Sequence, residues 1–308
     1  MKVEVVISTF NGEKYIEEQI LSIFEQKNVE IHITVRDDGS KDNTVSILNL
    51  LAQKNPNKIK VICGENIGYR KSFMIGLKKS EEADYYAFSD QDDVWLPNKL
   101  DIAVKKISSL DSNMKLYTSS LIITDEKLKR IGFNDISNMT NDVACYFSRP
   151  RLAGCTFVFN KKLKSKAICL FDLCNMKQIS ENSFPDHDFI LGSIAFSCGK
   201  VFIDKDSYIL HRRLLNSATS GGNGLKKRIK TEYKYFFHRN KYRTLIADFL
   251  LEDFKDDLKK EIICFLQMLV KSNDSLKMKL KLIRFKKFSS NIFICDIETK
   301  LCVLLGLL

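Results

Sequence analysis

Three aspartates stand within four residues directly after an apolar run, in the segment 87–93 (Ala-Phe-Ser-Asp-Gln-Asp-Asp). The run predicts a buried strand, so the carboxylates lie where a strand ends and a loop begins, the edge at which open α/β sheets bind ligands. Carboxylates this close repel one another without a cation, and their oxygens suit Mg²⁺ or Mn²⁺. The segment indicates a divalent-metal site. The alternative is a solvated acidic turn before the helix predicted to begin near Pro97.

Three earlier loops also carry polar side chains, each directly after a predicted strand. Their sequences are Ser8-Thr9-Phe10-Asn11-Gly12-Glu13, Asp37-Asp38-Gly39-Ser40 and Asn66-Ile67-Gly68-Tyr69-Arg70-Lys71. The first suits a base and ribose, and the second offers carboxylates to a pyrimidine N3–H or to ribose hydroxyls. The third sets two cations at a helix N-terminus, which suits a diphosphate. Each loop alone is explained as a turn or a helix cap, but four in register on consecutive βα units predict the rim of a nucleotide site.

The elements that must position these loops alternate regularly through the first 110 residues. Strands are predicted over residues 2–9, 31–35, 60–63 and 85–88, with helical apolar periodicity between them. This rhythm predicts an α/β fold, with a mainly parallel, Rossmann-related sheet and helices on both faces. Farther along, strands are predicted over 115–124 and 155–160, a polar loop near 132–150, a helix over 186–197 and an extended run over 200–210.

Composition describes an ordinary globular protein, with 44% apolar and 28% charged residues in a chain of 308. No apolar run of 18 residues or more suggests a membrane-spanning helix, and the N-terminal residues lack the pattern of a signal peptide. The nine cysteines include no CxxC pair, which favours reduced thiols. These features predict a cytoplasmic protein.

The net charge of +11 is concentrated in the C-terminal part of the chain. We therefore predict a catalytic domain over residues 1–221 and a basic, amphipathic helical extension over 222–308, joined through a linker at 217–224. The extension opens with Lys226-Lys227-Arg228-Ile229-Lys230 and is rich in aromatic residues. A solvated helix face is one interpretation, whereas nucleic-acid binding lacks a recognition motif. Contact with the anionic cytoplasmic surface of a membrane fits both the cations and the aromatic residues, including those near 276–288.

The loop sequences together resemble those of family 2 glycosyltransferases of the GT-A fold. The resemblance rests on Ser-Thr-Phe-Asn-Gly, Val-Arg-Asp-Asp-Gly-Ser-Lys-Asp-Asn-Thr, Glu-Asn-Ile-Gly and Leu-Pro-Asn-Lys-Leu, and it covers about residues 3–221. The string Ser-Asp-Gln-Asp-Asp-Val-Trp is similar to the bacterial rhamnosyltransferase-like subgroup. The resemblance implies an inverting transferase that uses a nucleoside-diphosphate sugar and a divalent metal, Mn²⁺ or Mg²⁺.

The resemblance also assigns roles to residues of the loops. Asp38 would bind the nucleobase, Arg70 would face the diphosphate, and Asp92 would hold the metal. Asp90 would reach the ribose side and the metal. The remaining residues expected to bind the nucleotide sugar are Thr9, Phe10, Asn11, Glu13, Asn66 and Gly68. Asp93 and Trp95 are candidates for contact with the acceptor.

An inverting displacement needs a general base for the acceptor hydroxyl. The segment 184–189 (Phe-Pro-Asp-His-Asp-Phe) sets two acids and a histidine at the start of a helix, where Asp186 suits the N-cap position. The resemblance implies that Asp188 is the base, with His187 as an orienting neighbour and the next candidate. Related sequences carry a metal-binding His where this chain has Leu214, so His211, water or a weakly held metal would complete the site.

These observations predict a metal-dependent transferase that moves a hexose or deoxyhexose, such as rhamnose, from a dTDP- or UDP-sugar. Its acceptor would be a bacterial surface polysaccharide or lipid-linked glycan at the inner face of the cell membrane. A sugar nucleotidyltransferase would have a basic, Gly-rich first loop, which this chain lacks. An oxidoreductase would have GxGxxG, also absent. A catalytically degenerate scaffold in a glycan-assembly complex is the remaining alternative, suggested by Leu214.

Overall fold

The computed structural model describes residues 1–177, 179, 184–214 and 242–307. The chain forms two compact units, each built from more than one stretch of sequence. The first comprises Met1–Ser137, Leu152–Cys169 and Lys200–Leu214, and the second comprises Asn138–Arg151, Leu170–Gly199 and Leu215–Leu308.

All strands of the described residues belong to the first unit. They are β1 (Lys2–Thr9), β2 (Glu30–Asp37), β3 (Ile59–Cys63), β4 (Tyr85–Ser89), β5 (Val94–Trp95), β6 (Lys115–Ser119), β7 (Leu121–Thr124), β8 (Arg130–Asn134), β9 (Val158–Asn160), β10 (Lys200–Asp204) and β11 (Ile209–Arg212). Seven form a sheet in the order β10-β6-β9-β4-β1-β2-β3, in which β9 alone runs antiparallel to its neighbours. The other four form a smaller sheet in the order β5-β11-β7-β8.

Eleven α-helices complete the described part of the chain. They are α1 (Ile16–Phe24), α2 (Thr44–Lys54), α3 (Tyr69–Lys79), α4 (Lys99–Ser108), α5 (Val143–Ser148), α6 (Lys161–Met176), α7 (His187–Cys198), α8 (Arg243–Asp253), α9 (Lys260–Lys271), α10 (Leu276–Arg284) and α11 (Phe293–Leu305).

Strand β1 is buried on both faces of the large sheet, as the nearly continuous apolar sequence Val-Glu-Val-Val-Ile requires. Val3, Val5 and Ile7 join a core with α1, α2 and α4 on one face. On the other face Val6 lies against Gly76 of α3, where an added Cβ would come within 2.9 Å. The predicted parallel α/β sheet with helices on both faces is therefore confirmed.

The strand register brings the chemistry-bearing loops together. Thr9 of β1 pairs with Asp37 of β2, and Asp37 pairs with Cys63 of β3. Ile7 pairs with Ser89 of β4. Because these four strands are parallel, their C-terminal ends form one edge, from which all four loops leave.

The structure differs from the sequence-based prediction mainly after residue 110. The strand predicted over 115–124 divides into β6 and β7, and the predicted loop near 132–150 contains β8 and α5. Helix α6 was not predicted, although its buried residues recur with helical spacing: Leu163, Ala167, Leu170, Phe171 and Cys174. The predicted linker at 217–224 and the basic segment 226–230 lie outside the described residues, as does the predicted domain boundary at 221–222.

In the second unit, α5 packs against α7 through aromatic rings. The ring of Tyr146 stacks on Phe189 and on Phe196, at centroid distances of 5.6 and 4.5 Å. Its hydroxyl donates a hydrogen bond to the main-chain oxygen of Asp188. Arg243 of α8 is buried and donates to the carbonyls of Phe147 and Ser148 at the end of α5. These contacts fix the first turn of α7, which carries the predicted base.

We predict that Gly192→Ala destabilises the protein. A Cβ there would lie 2.1 Å from Oη of Tyr146 and 2.4 Å from Cζ, so the stacked ring must move. Overpacking of this kind costs about 1–3 kcal/mol, and the thermal unfolding midpoint should fall by several degrees.

The matched control is Gly132→Ala in β8, where the nearest atom to the new Cβ is at 3.6 Å. Its stability should change by no more than about 0.5 kcal/mol. Equal midpoints for the two variants would contradict this account of the α5–α7 contact.

Candidate active site

The end of β4 and the end of β11 bring four potential metal ligands together. Asp90 and Asp93 lie in the loop between β4 and β5, and β5 pairs antiparallel with β11, which carries His211. Cys155 lies in the short 3₁₀ turn before β9. One donor atom from each of the four residues lies within 4.8 Å of the other three.

His211 and Asp93 form the direct contact at the centre of this cluster. His211 Nδ1 lies 2.9 Å from Asp93 Oδ1. The carboxylate of Asp93 is fully buried, and its Oδ2 has no hydrogen-bond partner among the described residues. A buried carboxylate oxygen without a donor is costly, and a cation beside it would relieve that cost. The position of Asp93 therefore suits contact with a metal better than contact with the acceptor. The acceptor contact stays a prediction.

Burial and mutual repulsion shift the protonation of the cluster. Burial, followed by the charge of Asp93, raises the pKa of Asp90 to about 6. Burial and the charges of Asp93 and Asp90 raise the pKa of Asp92 to about 7. The charge of Asp93, opposed by burial, raises the pKa of His211 to about 9. Without a metal, protons and an imidazolium offset part of the negative charge.

The donor set fits a divalent cation. Two carboxylates and an imidazole are ligands that Mn²⁺ accepts readily, and Mg²⁺ takes the carboxylates with water in its other positions. Asp92, the metal ligand expected from the resemblance, is not among the four clustered residues, although its carboxyl feels the charges of Asp90 and Asp93. Burial raises the pKa of the Cys155 thiol well above its ordinary value, so this side chain stays protonated in the metal-free site.

A buried lysine lies behind the acidic cluster. Lys99, in the first turn of α4, has no exposed surface, and its Nζ lies 3.5 Å from the centre of the Trp95 ring. Burial lowers the pKa of Lys99 to about 7, against the opposing effect of Cys155 and Asp93. Trp95 is only 1% exposed. The contact of Trp95 with the acceptor stays a prediction. In this structure the Trp95 ring packs against the Lys99 ammonium.

Gln91, between Asp90 and Asp92, connects the loop between β4 and β5 (the metal loop) to the loop after β1. Its Oε1 accepts hydrogen bonds from the Thr9 hydroxyl at 2.7 Å and from the Phe10 amide at 2.9 Å. Its Nε2 donates to the Phe10 carbonyl. Gly12 leaves room for this amide, since a Cβ there would lie 2.5 Å from Oε1. These hydrogen bonds join the two loops.

Asp38 connects the second loop to the third. It is 2% exposed, and its carboxylate accepts from the amides of Ile67 and Gly68, both at 2.9 Å, and from buried Arg36. Gly68 has φ +83°. Gly39 has φ +81°, and a Cβ added there would lie only 3.0 Å from the Asn66 amide nitrogen, so both positions favour glycine. Asp38 thus positions the loop of Asn66 and Gly68, while its role in binding a base stays a prediction.

The remaining predicted binding residues line the rim of the same edge. Phe10 is 44% exposed, and Asn11 and Asn66 are exposed too. Glu13 accepts from the Asn43 amide and side chain, which ties the first loop to α2. Arg70 lies in the first turn of α3, with its guanidinium over the Tyr69 ring. The structure therefore brings the predicted nucleotide residues to one edge beside the acidic cluster.

The predicted base lies in the second unit. Asp188 is half-buried in the first turn of α7, and His187 beside it is buried. Asp186 occupies the N-cap position as predicted, but its side chain makes no capping bond and accepts from the Tyr242 hydroxyl at 3.3 Å. The roles of Asp188 and His187 stay predictions.

Sequence reasoning missed four residues that build the site: Arg36, Gln91, Lys99 and Cys155. Arg36, Gln91 and Lys99 sit within or beside motifs that the sequence shows, whereas Cys155 does not. The roles of Gln91 and Cys155 depend on partners far away in the sequence. Gln91 contacts residues 81 and 82 positions away, and Cys155 follows the metal loop by more than 60 residues. The sequence offers His211 only as a substitute ligand, and the pairing of β5 with β11 brings it to Asp93.

Comparison with known proteins gives a consistent result. Residues 4–166 match the model of glycosyl transferase family 2. A dTDP-rhamnosyl transferase, RfbG of Shigella flexneri, is 30% identical over 259 residues, which is 80% of this chain and 85% of that protein. An uncharacterized glycosyltransferase of Nostoc is 36% identical over 111 residues, which is 36% of this chain and 34% of that protein.

Solved structures of S. aureus TarS, residues 1–349, resemble the whole chain. The complex with UDP-GlcNAc has a TM-score of 0.51 and 16% identity, covering 98% of this chain and 90% of that one. The complex with UDP has a TM-score of 0.50 and 17% identity, with the same coverage. At this identity the likeness concerns the fold, and it confirms the predicted GT-A-like architecture.

We predict that Mn²⁺ affinity rises steeply between pH 6 and 8.5. Binding requires ionised carboxylates and a neutral imidazole, whereas the free site holds protons with pKa values of about 6 on Asp90, about 7 on Asp92 and about 9 on His211. Raising the pH removes these competing protons, and affinity should gain up to about tenfold per pH unit for each proton displaced. Titration calorimetry in two buffers of different ionisation enthalpy counts the protons released.

In His211→Gln, the proton that the imidazole gives up on metal binding should be lost. Proton release at pH 8.5, well above the pKa values of Asp90 and Asp92, should therefore fall toward zero, while release from the carboxyls near pH 6 to 7 remains. An affinity that does not change with pH in the unsubstituted protein would rule out this cluster as the metal site.

We predict that Gln91→Ala loosens the first loop. The Phe10 amide loses its acceptor, a bond worth about 1 kcal/mol, so its hydrogen exchange should quicken several-fold. Gln53→Ala, on the exposed side of α2, is the matched control and should leave Phe10 exchange unchanged. Unaltered exchange of the Phe10 amide in Gln91→Ala would show that the first loop keeps its conformation without the Gln91 hydrogen bonds.

Proposed function

This chain belongs to glycosyl transferase family 2 and is a glycosyltransferase; on that premise, we propose that it moves rhamnose from dTDP-rhamnose, with inversion, to a bacterial surface polysaccharide or lipid-linked glycan. The observation that carries the proposal is the cluster of Asp90, Asp93 and His211 at the same sheet edge as the nucleotide loops. A cation-binding cluster beside a nucleotide rim suits a reaction in which a diphosphate leaves.

Asp90, Asp93 and His211 would hold the divalent cation, Mn²⁺ or Mg²⁺, with Asp92 beside them. When bound, the cation supplies Lewis-acid stabilisation of the charge that grows on the leaving diphosphate. The protein supplies the position: the β5–β11 pairing and the Asp93–His211 contact hold the donor atoms together before any ligand arrives. This preorganisation means that little side-chain reorganisation is needed when the ligand binds.

The donor nucleotide would lie along the first three loops. The α3 N-terminus, with Arg70 in its first turn, would meet the diphosphate. Exposed Phe10 and Asn11 would flank the base and ribose, while Thr9 and Asp38, both buried, hold the two loops in shape. Asn66 and Gly68 form the turn that leads into this helix.

Asp188 would act as the general base. An inverting displacement needs one carboxylate to take the proton of the acceptor hydroxyl as that oxygen attacks the anomeric carbon. Asp188 sits in the first turn of α7, a helix anchored by the Tyr146 hydroxyl and the surrounding aromatic rings. His187, buried beside it, would orient that turn.

The likeness to a dTDP-rhamnosyl transferase over most of both chains supports dTDP-rhamnose as the donor. The solved TarS complexes contain UDP or UDP-GlcNAc, so a UDP-sugar is the donor against which the proposal must be tested. Both nucleotides carry a pyrimidine with an N3–H that the first two loops would meet.

A scaffold function finds less support than the sequence suggested. Leu214, in place of the expected histidine, was its only basis, and the structure brings the imidazole of His211 to Asp93 instead. We therefore propose an active enzyme.

Among the described residues, no helix combines the length and the apolar character needed to cross a membrane. For an acceptor that is a lipid-linked glycan, we propose that the enzyme works at the inner face of the cell membrane.

Thermal unfolding with dTDP, UDP and GDP, each with Mn²⁺ and with a chelator, tests the donor. A ligand at about 100 times its dissociation constant stabilises the folded state by about 2.7 kcal/mol, enough to raise the midpoint by several degrees. We expect a Mn²⁺-dependent shift that is largest with dTDP. A larger shift with UDP would show that the donor is a UDP-sugar and not dTDP-rhamnose. No shift with either pyrimidine nucleotide would contradict the transferase site described here.

We predict that Asp188→Asn abolishes sugar transfer while leaving the Mn²⁺-dependent dTDP shift intact, because the amide cannot accept the acceptor's proton. The matched control is Asp101→Asn, which removes an acid from the first turn of α4 and should keep full activity. Transfer at the unsubstituted rate by Asp188→Asn would exclude Asp188 as the base.

A further inference from the structure

The last two helices carry exposed apolar side chains, and cations are concentrated on α10 and on the segment that joins it to α11. Residues 275–295 contain six Lys or Arg and no Asp or Glu. Seven of the fourteen large apolar side chains exposed among the described residues belong to these helices: Leu276, Leu280, Phe293, Ile297, Leu301, Leu304 and Leu305. This concentration on two short helices distinguishes them from the rest of the described surface.

Helix α10 presents its apolar and basic residues on one face. An open groove of about 720 Å³ is lined by Leu276, Lys277, Leu280, Lys281, Arg284 and Phe285. At 3.6 residues per turn the first five fall on a single face, and Leu282, on another side of the helix, is fully buried. Among the residues that the structure describes, none forms an ion pair with Lys277, Lys281 or Arg284, so their charges are available to an external anion.

Helix α11 has an apolar stripe along its length. Phe293 is 80% exposed and Leu305 is 59% exposed, and between them Ile297, Leu301 and Leu304 recur at the spacing of one helix face. Thr299, Cys302 and Val303 face the opposite way and are buried. The helix is thus anchored on one side and leaves a continuous apolar surface on the other.

The two helices form one structural piece. They pack against each other, and the Lys279 ammonium donates a hydrogen bond to the main-chain oxygen of Leu304 at 3.0 Å. The apolar stripe of α11 and the basic groove of α10 are therefore held at a fixed spacing.

We propose that α10 and α11 are a docking surface for an anionic lipid bilayer. Apolar side chains backed by lysines and arginines are the composition of helices that lie in a membrane interface, where the apolar residues enter the headgroup boundary and the cations meet lipid phosphates. A second copy of this chain is a poorer occupant, because its own α10 carries the same four cations and no acid. The inference rests on the proposed function in one respect, that a lipid-linked acceptor is found at such a surface.

Co-sedimentation of the full chain with vesicles tests this surface. We expect binding to vesicles of equal parts phosphatidylcholine and phosphatidylglycerol, weakening as salt is added, and little binding to phosphatidylcholine alone. Replacing Lys277, Lys281 and Arg284 with Gln should lower the partition coefficient by about 100-fold, at about fivefold per cation. The matched control replaces the exposed Lys54, Lys58 and Lys127 of the first unit with Gln and should bind as the unsubstituted protein does.

A second pair of variants tests the apolar stripe. Ile297→Ser with Leu301→Ser should lose vesicle binding, whereas Leu21→Ser with Leu50→Ser, exposed in the first unit, should retain it. All variants should keep the Mn²⁺-dependent nucleotide shift, so failure of the docking surface is distinguishable from failure of the transferase site. Vesicle binding that survives both sets of α10 and α11 substitutions would overturn the proposal. The proposal would also be overturned if the unsubstituted chain bound no vesicles and instead self-associated, as measured by light scattering, and if Ile297→Ser with Leu301→Ser abolished that self-association.

Discussion

The site is organised by the cost of holding three carboxylates within four residues at the buried end of a strand. Such a cluster is unfavourable in a low-dielectric environment unless cations or protons offset it. The chain offsets part of that cost with His211, which touches Asp93, and with Lys99 behind the loop. The buried Asp93 oxygen that has no donor among the described residues remains for a ligand from outside. The same electrostatic cost that opposes folding therefore provides the affinity for a metal.

The surrounding loops are built to hold this cluster in register with a nucleotide. Side chains that would otherwise face the ligand are used to join one loop to the next: Gln91 joins the fourth to the first, and Asp38 joins the second to the third. Arg36, buried beneath them, bonds to Asp38 and to Ser72 of α3. Rigid connections of this kind keep the binding groups in place before the ligand arrives, which lowers the entropy lost on binding.

Much of the first unit follows from patterns that can be read along the sequence. The strand ends carry the polar loops, and parallel pairing aligns those ends, so Thr9, Asp37 and Asp90 meet at one edge as expected. The division of 115–124 into two strands was not predictable, because Ser119 and Ser120 do not interrupt a β-rich pattern. Helix α5 was missed for another reason: its six residues are all buried, which leaves no amphipathic periodicity to detect.

The composition of the metal cluster was predicted only in part. The acidic segment identified Asp90 and the site, but the choice of Asp93 over Asp92 as the clustered carboxylate depends on the turn between β4 and β5. His211 lies on a distant strand and Cys155 in the turn before β9, and the pairing of β11 with β5 and of β9 with β4 brings them near. Long-range pairing of this kind has no local signal in one sequence.

Anomalous X-ray scattering from crystals grown with Mn²⁺ and dTDP tests the central claim most directly. The account predicts a manganese peak bound to Asp90, Asp93 and His211, with the diphosphate completing its coordination from the side of the α3 N-terminus. A peak elsewhere, or nucleotide bound at this edge with no manganese beside these three residues, would contradict it.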